Sequence, residues 1–168
     1  MNRLLRILKH RWLDERDAER ALGKGTLARI EARIGASEKT HGGEIRICVE
    51  AGLPMSYLWK SLSARDRAIT LFGKLRVWDT EANNGVLIYL LLAEHAIEIV
   101  ADRGLARHVP ADQWQAIVAG LREAFRAGRH ENGLDAAVAA VDAMLVQHFP
   151  LAAGVTNPNE LSNRPFVI

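Results

Sequence analysis

The sequence predicts an α/β protein, a three-layer α/β/α sandwich with a small mixed sheet. Three observations lead there. The run Val86-Leu-Ile-Tyr-Leu-Leu-Leu92 is apolar without alternation, the pattern of a strand buried on both faces. A second short run, Ala96-Ile-Glu-Ile-Val-Ala101, follows too closely for a parallel crossover, so the two must pair antiparallel. Segments with helical spacing flank these runs, and a sheet covered on both faces needs helices in two layers.

The elements follow in chain order. Arg3, Arg6, Lys9 and Arg11 alternate with Leu4, Leu5, Ile7, Leu8 and Trp12, a basic amphipathic helix. Its apolar face, Leu4, Leu5 and Leu8, is expected to pack on the domain; the alternative is peripheral contact with an anionic membrane or a protein partner. From Asp14 to Ile34, apolar residues Ala18, Ala21, Leu22, Leu27, Ile30 and Ile34 recur at helical spacing. Gly23 and Gly25 divide them into two helices, and Gly35 suits the C-terminal cap. A polar loop, 37–43, leads to a strand at Glu44-Ile-Arg-Ile-Cys-Val-Glu50, which Gly52-Leu-Pro54 ends. Ser63 is the N-cap of a helix over 64–75, with Ala68, Ile69, Phe72 and Leu75 on one face. After the two strands, Pro110 opens a helix over 111–127 with Trp114, Ile117, Val118, Leu121 and Phe125 on one stripe, and Gly128 ends it. The last helix spans 133–148 with Leu134, Val138, Val141 and Leu145 inward, and Phe149-Pro150 closes the globule. The remainder is rich in Asn and Pro and is expected to be mobile or draped on the surface.

Composition excludes several classes. A chain of 168 residues suffices for one domain with its own core. A net charge of +2 gives no reason to expect a nucleic-acid partner. The single cysteine, Cys48, lies in an apolar stretch and rules out an intrachain disulfide framework. No run approaches the roughly 20 apolar residues that cross a bilayer. The basic N-terminus lacks the apolar centre and cleavage site of a signal peptide, so a cytoplasmic location is expected. No serine elbow, phosphate-binding loop, paired CxxC or HExxH occurs.

One block stands out. The loop before Val86 carries Asp79, Glu81, Asn83 and Asn84 and runs through Gly85 into the buried strand. A rigid strand fixes the loop that adjoins it. If the two apolar runs form a hairpin around Ala93-Glu94, Asn84 and Asp102 lie at the same end of the sheet, beside Gly85 and Gly104 respectively. Asp79, Glu81 and Asn83 stand at positions 1, 3 and 5 of a calcium-loop spacing, but the glycine and the position-12 carboxylate of an EF-hand are missing. Spacing alone therefore leaves two readings open: a cation site, or a polar turn bent by Asn84-Gly85.

The run Trp78-Asp-Thr-Glu-Ala-Asn-Asn-Gly-Val-Leu-Ile-Tyr89 resembles the Asn-Asn-Gly-Val-Leu signature of the TPM domain family. So does Ile99-Val-Ala-Asp-Arg-Gly-Leu105, and more loosely the helices that follow. The similarity is greatest to the soluble, stand-alone bacterial branch, which lacks the signal peptide and membrane helix of exported members. At Asp102-Arg103 the sequence departs from the exported pattern, where an aromatic residue or a glycine is usual. The resemblance implies an α/β/α sandwich with a divalent-cation site at one sheet edge, and for some members acid phosphatase activity. It divides the chain into an N-terminal helical segment packing on the domain, 1–39, a TPM-like domain, 40–150, and a C-terminal tail, 151–168.

On this basis the expected ligands are Asp79, Asn84 and Asp102, with Glu81 next, and the expected ion is calcium, with magnesium second. His41 and Glu44 are weighed as an acid–base pair against a solvated loop histidine, and the latter is expected. Trp78 is expected to be core or shielding and not a ligand platform. Two functions follow. The first is a calcium-binding accessory module that acts through an unidentified protein partner. The alternative is a metal-assisted acid phosphatase, for which only Arg103 and His41 offer charge or proton transfer near the site and no nucleophile is evident.

Overall fold

Gly85–Leu91 forms a strand in which every residue is buried, as its unbroken apolar run requires. It is β2 of a four-stranded sheet in the order β3-β2-β1-β4, where β1 is Glu44–Glu50, β3 is Ala96–Ala101 and β4 is Phe166–Val167. β1 runs parallel to β2, from Glu44 opposite Gly85 to Glu50 opposite Leu91. β3 is antiparallel to β2, from Val86 opposite Ala101 to Leu91 opposite Ala96. The hairpin between them turns through one 3-10 turn, Leu92–Glu94, closed by His95 in the left-handed region at φ 50°. This computed structural model describes residues 3–13, 15–23 and 25–168.

Among the described residues the helices are α1 (Arg3–Arg11), α2 (Glu15–Leu22), α3 (Thr26–Ser37), α4 (Met55–Trp59), α5 (Ala64–Lys74), α6 (Arg103–Ala106), α7 (Ala111–Arg126) and α8 (His130–His148). None is long and apolar enough to cross a membrane. Side chains alternate across each strand and sort the helices into two layers. Val86, Ile88 and Leu90 join Ile45, Ile47, Val49, Ile97 and Ile99 against α2, α3, α7 and α8. Leu87, Tyr89 and Leu91 join Cys48 and Val100 against Leu58 of α4 and Ala68 and Leu71 of α5. The three-layer α/β/α arrangement with a mixed sheet is therefore the observed fold.

Local signals explain most boundaries. Gly23 and Gly25, at φ 95° and 79°, separate α2 from α3. α3 then continues through Gly35 to Ser37, two residues past the expected cap, because Ile30 and Ile34 hold it on the core. Ser63 and Asp66 form a capping box at the start of α5. Ile69, expected inward, is exposed; Leu71 takes the buried place. α8 begins at His130, three residues ahead of the expected Gly133. The short helices α4 and α6 were not expected, since neither spans enough turns to show a period.

A polar cross-link runs through the second layer. Arg67 of α5 donates to Glu50 of β1 from Nε at 2.9 Å and from Nη2 at 2.6 Å. Tyr89 of β2 donates its hydroxyl to the same carboxylate at 2.6 Å. All three residues are buried, so the charge pair is closed from water and tied to both central strands. Burial also pushes the Cys48 thiol up to about 12, which leaves it protonated and unreactive.

The N-terminal helix is docked the other way round from the expectation. Leu4, Leu5 and Leu8 are exposed, and Arg6, Ile7 and His10 face the domain, with Ile7 packed on the second core layer. Arg6 donates to Glu94 Oε1 at 2.6 Å and to the Leu62 carbonyl at 2.8 Å. His10 is buried, accepts from the Leu53 N–H at 2.8 Å through Nδ1, and so donates from Nε2 to Glu94 at 3.0 Å. Burial holds the His10 imidazole below its ordinary pKa, against the pull of Glu94. Glu94 is the physical reason for the inversion. A half-buried carboxylate in the hairpin turn needs donors, and only the Arg6–His10 face supplies them.

The tail is draped over the sheet edge. Asn157 donates to the carbonyls of His41 and Gly43 at 3.0 and 3.1 Å, and the N–H groups of Glu160 and Leu161 donate to Glu44 at 3.1 and 3.2 Å. Phe166 and Val167 then pair parallel with Cys48 and Val49 as β4. Two residues are too few to show strand periodicity, which is why this edge strand was not legible in the sequence.

Candidate functional site

Asn84, Gly85 and Asp102 meet at one end of the sheet. Gly85 opens β2, β3 ends at Ala101 opposite Val86, and the Asp102 N–H donates to the Gly85 carbonyl at 2.9 Å. The expectation that Asn84 and Asp102 share a sheet end therefore holds. Both residues are buried. Asn84 donates from Nδ2 to the Gly42 carbonyl at 2.9 Å, and its N–H donates to Thr80 Oγ1 at 3.1 Å. Asp102 is the N-cap of α6, with Oδ1 accepting from the Arg103 N–H at 2.6 Å. The amide oxygen of Asn84, Oδ1, and the second carboxylate oxygen of Asp102, Oδ2, are buried and have no hydrogen-bond partner in the protein. A buried oxygen left unpaired costs about 1–3 kcal/mol, and more when charged. Two such oxygens on adjoining backbones are a donor set suited to a hard cation.

Two glycines make this geometry attainable. A Cβ on Gly85 would land on the Val77 carbonyl oxygen, and one on Gly104 would land on the carbonyl oxygens of Ala82 and Asn83. Only hydrogen fits at either place. The Gly104 N–H donates to the Asn83 carbonyl at 2.8 Å, which pins the loop to the start of α6. Asn83 takes a left-handed φ of 53°, and its Oδ1 accepts from Arg103 Nε and Nη2 at 3.3 and 3.2 Å. The exposed guanidinium of Arg103 is thus held on Asn83, the residue before Asn84.

The other predicted ligands lie elsewhere on the loop. Asp79 is exposed and ion-paired with Arg76. Glu81 is exposed, and its backbone N–H donates to the Glu160 carboxylate at 3.2 Å. Among the described residues, no three His, Cys, Asp or Glu side chains are grouped to hold a metal ion. Trp78, expected to be core or shielding, is half-exposed and so not in the core, and donates from Nε1 to the Gly73 carbonyl at 3.3 Å.

His41 is neither a solvated loop residue nor a partner of Glu44. It is fully buried, and its pKa is lowered chiefly by that burial. Its Nδ1 accepts from the Gly43 N–H at 3.2 Å, so Nε2 carries the proton and faces Ser37 Oγ at 3.0 Å. Ser37 in turn donates to Asp142 at 2.6 Å. The hydroxyl gives its proton to the carboxylate and not to the imidazole, which is the wrong polarity for a nucleophile. The group locks α3 to α8. Glu44 instead accepts the tail's N–H groups, and burial raises its pKa. Sequence reasoning also missed Glu38. It is buried, accepts from the Ile45 N–H at 3.0 Å, and is pushed up to about 8 by burial and by Glu44. A glutamate in a polar stretch carries no sequence signal of burial.

The family model of the TPM domain matches residues 16–144. The chain belongs to the TPM domain family. Both halves of the site, from Gly42 and Asn84 to Asp102, fall within the matched residues, as do α3 and all of α2 but Glu15. Among solved structures, this TPM domain is similar to the NMR structure of the BA42 protein from the psychrophilic bacterium Bizionia argentinensis. The identity is 26% and the TM-score 0.72, over 84% of this chain and 91% of that one. No protein of curated function matches in sequence. α1, the last turn of α8 and the tail lie outside the family match.

Proposed function

We propose that this TPM domain binds a divalent cation, calcium by preference, at the end of its sheet and acts as an accessory or interaction module for a protein partner in the cytoplasm. The observation that supports this reading is the pair of buried, unpartnered oxygens, Asn84 Oδ1 and Asp102 Oδ2. Calcium takes six to eight oxygen ligands, so these two anchors need company. On this reading water and a turn of the exposed loop would supply it, Asp79 exchanging Arg76 for the ion and Glu81 swinging in beside it. Magnesium would bind less well, because it demands octahedral geometry and gives up water reluctantly.

The test is a melting curve with and without calcium. A ligand that binds only the native state adds about 2.7 kcal/mol at a hundredfold excess over Kd, which in a domain of this size raises Tm by roughly 5–10 °C. Asp102→Ala and Asn84→Ala should each abolish the rise. A melting curve unmoved by millimolar calcium, or an Asp102→Ala variant that responds as the parent does, removes the reading.

Catalysis is the second reading, and Arg103 is what favours it. Its exposed guanidinium, held on Asn83 next to Asn84, would offer a phosphate a counter-charge. Hydrolysis of an aryl phosphate that saturates, requires the added cation and vanishes in both Asp102→Ala and Arg103→Ala would make the domain a phosphatase. Calcium binding without turnover leaves it an accessory module.

A further inference from the structure

We infer that the outer face of α1, extended by α4, is a docking surface for an anionic lipid bilayer. The inversion of α1 is the starting point. Its polar side is clamped inward by Arg6 and His10 on Glu94, and His10 lies so close to Gly52 that a Cβ there would meet the His10 carbonyl oxygen at 2.6 Å. The helix is therefore held in one orientation by these polar contacts and by Ile7, which packs on the core, and its leucines face outward. Leu5 and Leu8 are 59% and 54% exposed, and Trp12, just past the helix end, is 83% exposed. These three positions fall on one helical face. α4 packs against α1 and adds exposed Met55 and Trp59.

Charge decides the occupant. Lys9 and Arg11 are exposed on α1, Lys60 is exposed at the end of α4, and neither helix contains an acidic residue. Apolar side chains with tryptophan, flanked by cations and lacking anions, match the interface of an anionic bilayer. A second copy of the chain is a poorer fit, because pairing these faces would set Lys9 and Arg11 of one copy against the same cations of the other. The surface lies at the hairpin-turn end of the sheet, where Glu94 sits, and the Asn84–Asp102 pair lies at the opposite end. Docking here does not rest on the cation reading and leaves that end of the sheet clear.

The experiment is vesicle co-sedimentation of the full chain, with EDTA present so that no divalent ion bridges protein to lipid. Three basic side chains near an anionic surface, at about 1 kcal/mol each, multiply partitioning by on the order of a hundredfold. The expected result is stronger binding to phosphatidylcholine–phosphatidylglycerol vesicles than to pure phosphatidylcholine by about that factor, reduced by added salt. Leu5→Glu with Leu8→Glu should abolish binding while leaving Tm unchanged, since both side chains are exposed. Lys9→Glu with Arg11→Glu should reduce binding to the level of neutral vesicles. Absence of binding to the anionic vesicles, equal binding to both kinds, or unchanged binding by the leucine variant overturns the inference. So does a dimer in sedimentation velocity that the leucine variant splits, which would assign the face to a second copy.

Discussion

Arg67→Met should be among the most damaging single changes in this protein. The substitution keeps much of the side chain's length and removes its charge. In the parent, Glu50 receives Arg67 Nε at 2.9 Å, Arg67 Nη2 at 2.6 Å and the Tyr89 hydroxyl at 2.6 Å. Glu50 is 3% exposed and Arg67 7%, so water cannot replace what is lost. The variant leaves a carboxylate among Cys48, Leu87, Leu58 and Leu71 with one neutral donor. Breaking a buried pair from one side costs about 3–5 kcal/mol. At roughly 2–4 °C per kcal/mol, Tm should fall by about 6–20 °C. Tyr89 remains that donor, because burial and then the Glu50 charge raise its pKa and keep the phenol protonated. The converse separates charge from packing. Glu50→Met, Arg67→Met and Tyr89→Phe together remove every polar atom of the group. That triple variant should melt near the parent or above it, as replacements of whole buried ion pairs do. Thermal melts followed by circular dichroism read both. A fall below about 2 °C in Arg67→Met, or a triple variant as unstable as the single one, would refute the view that the stranded charge is the cost.

Two further outcomes are expected. Gly104→Ala should weaken any calcium response and lower Tm, because its Cβ meets the Ala82 and Asn83 carbonyl oxygens, which are backbone and cannot swing aside; an alanine variant with parental Tm would refute the close approach. Glu38 titrates at about 8 in the fold against 4.5 ordinarily, so the native state holds the extra proton between those values. Its contribution to stability is complete below about pH 4.5 and is lost as pH rises through about 8. Glu38→Gln should therefore lose less stability than the parent over that range, and parallel declines in Tm would count against a buried acid.

The strand at Gly85–Leu91 was readable because its burial on both faces leaves an unbroken apolar run, and its short spacing to Ala96–Ala101 dictated the antiparallel hairpin. From the hairpin it followed, without coordinates, that Asn84 and Asp102 share one end of the sheet. Capping at Ser63 and the break at Gly23 and Gly25 were equally local, since each depends on one residue's own backbone or side chain. What the sequence could not carry was the partner of each polar group. Asp79 and Asn84 look alike as oxygen donors in one loop. Yet Asp79 turns out to Arg76, and Asn84 turns in to the Gly42 carbonyl, forty-two positions away along the chain. The α1 leucines likewise predicted an inward face, and a single carboxylate at Glu94 reversed it. Periodicity reports how much apolar surface a segment has. Which way that surface turns is set by the polar groups that must be satisfied when it docks, and those come from distant parts of the chain.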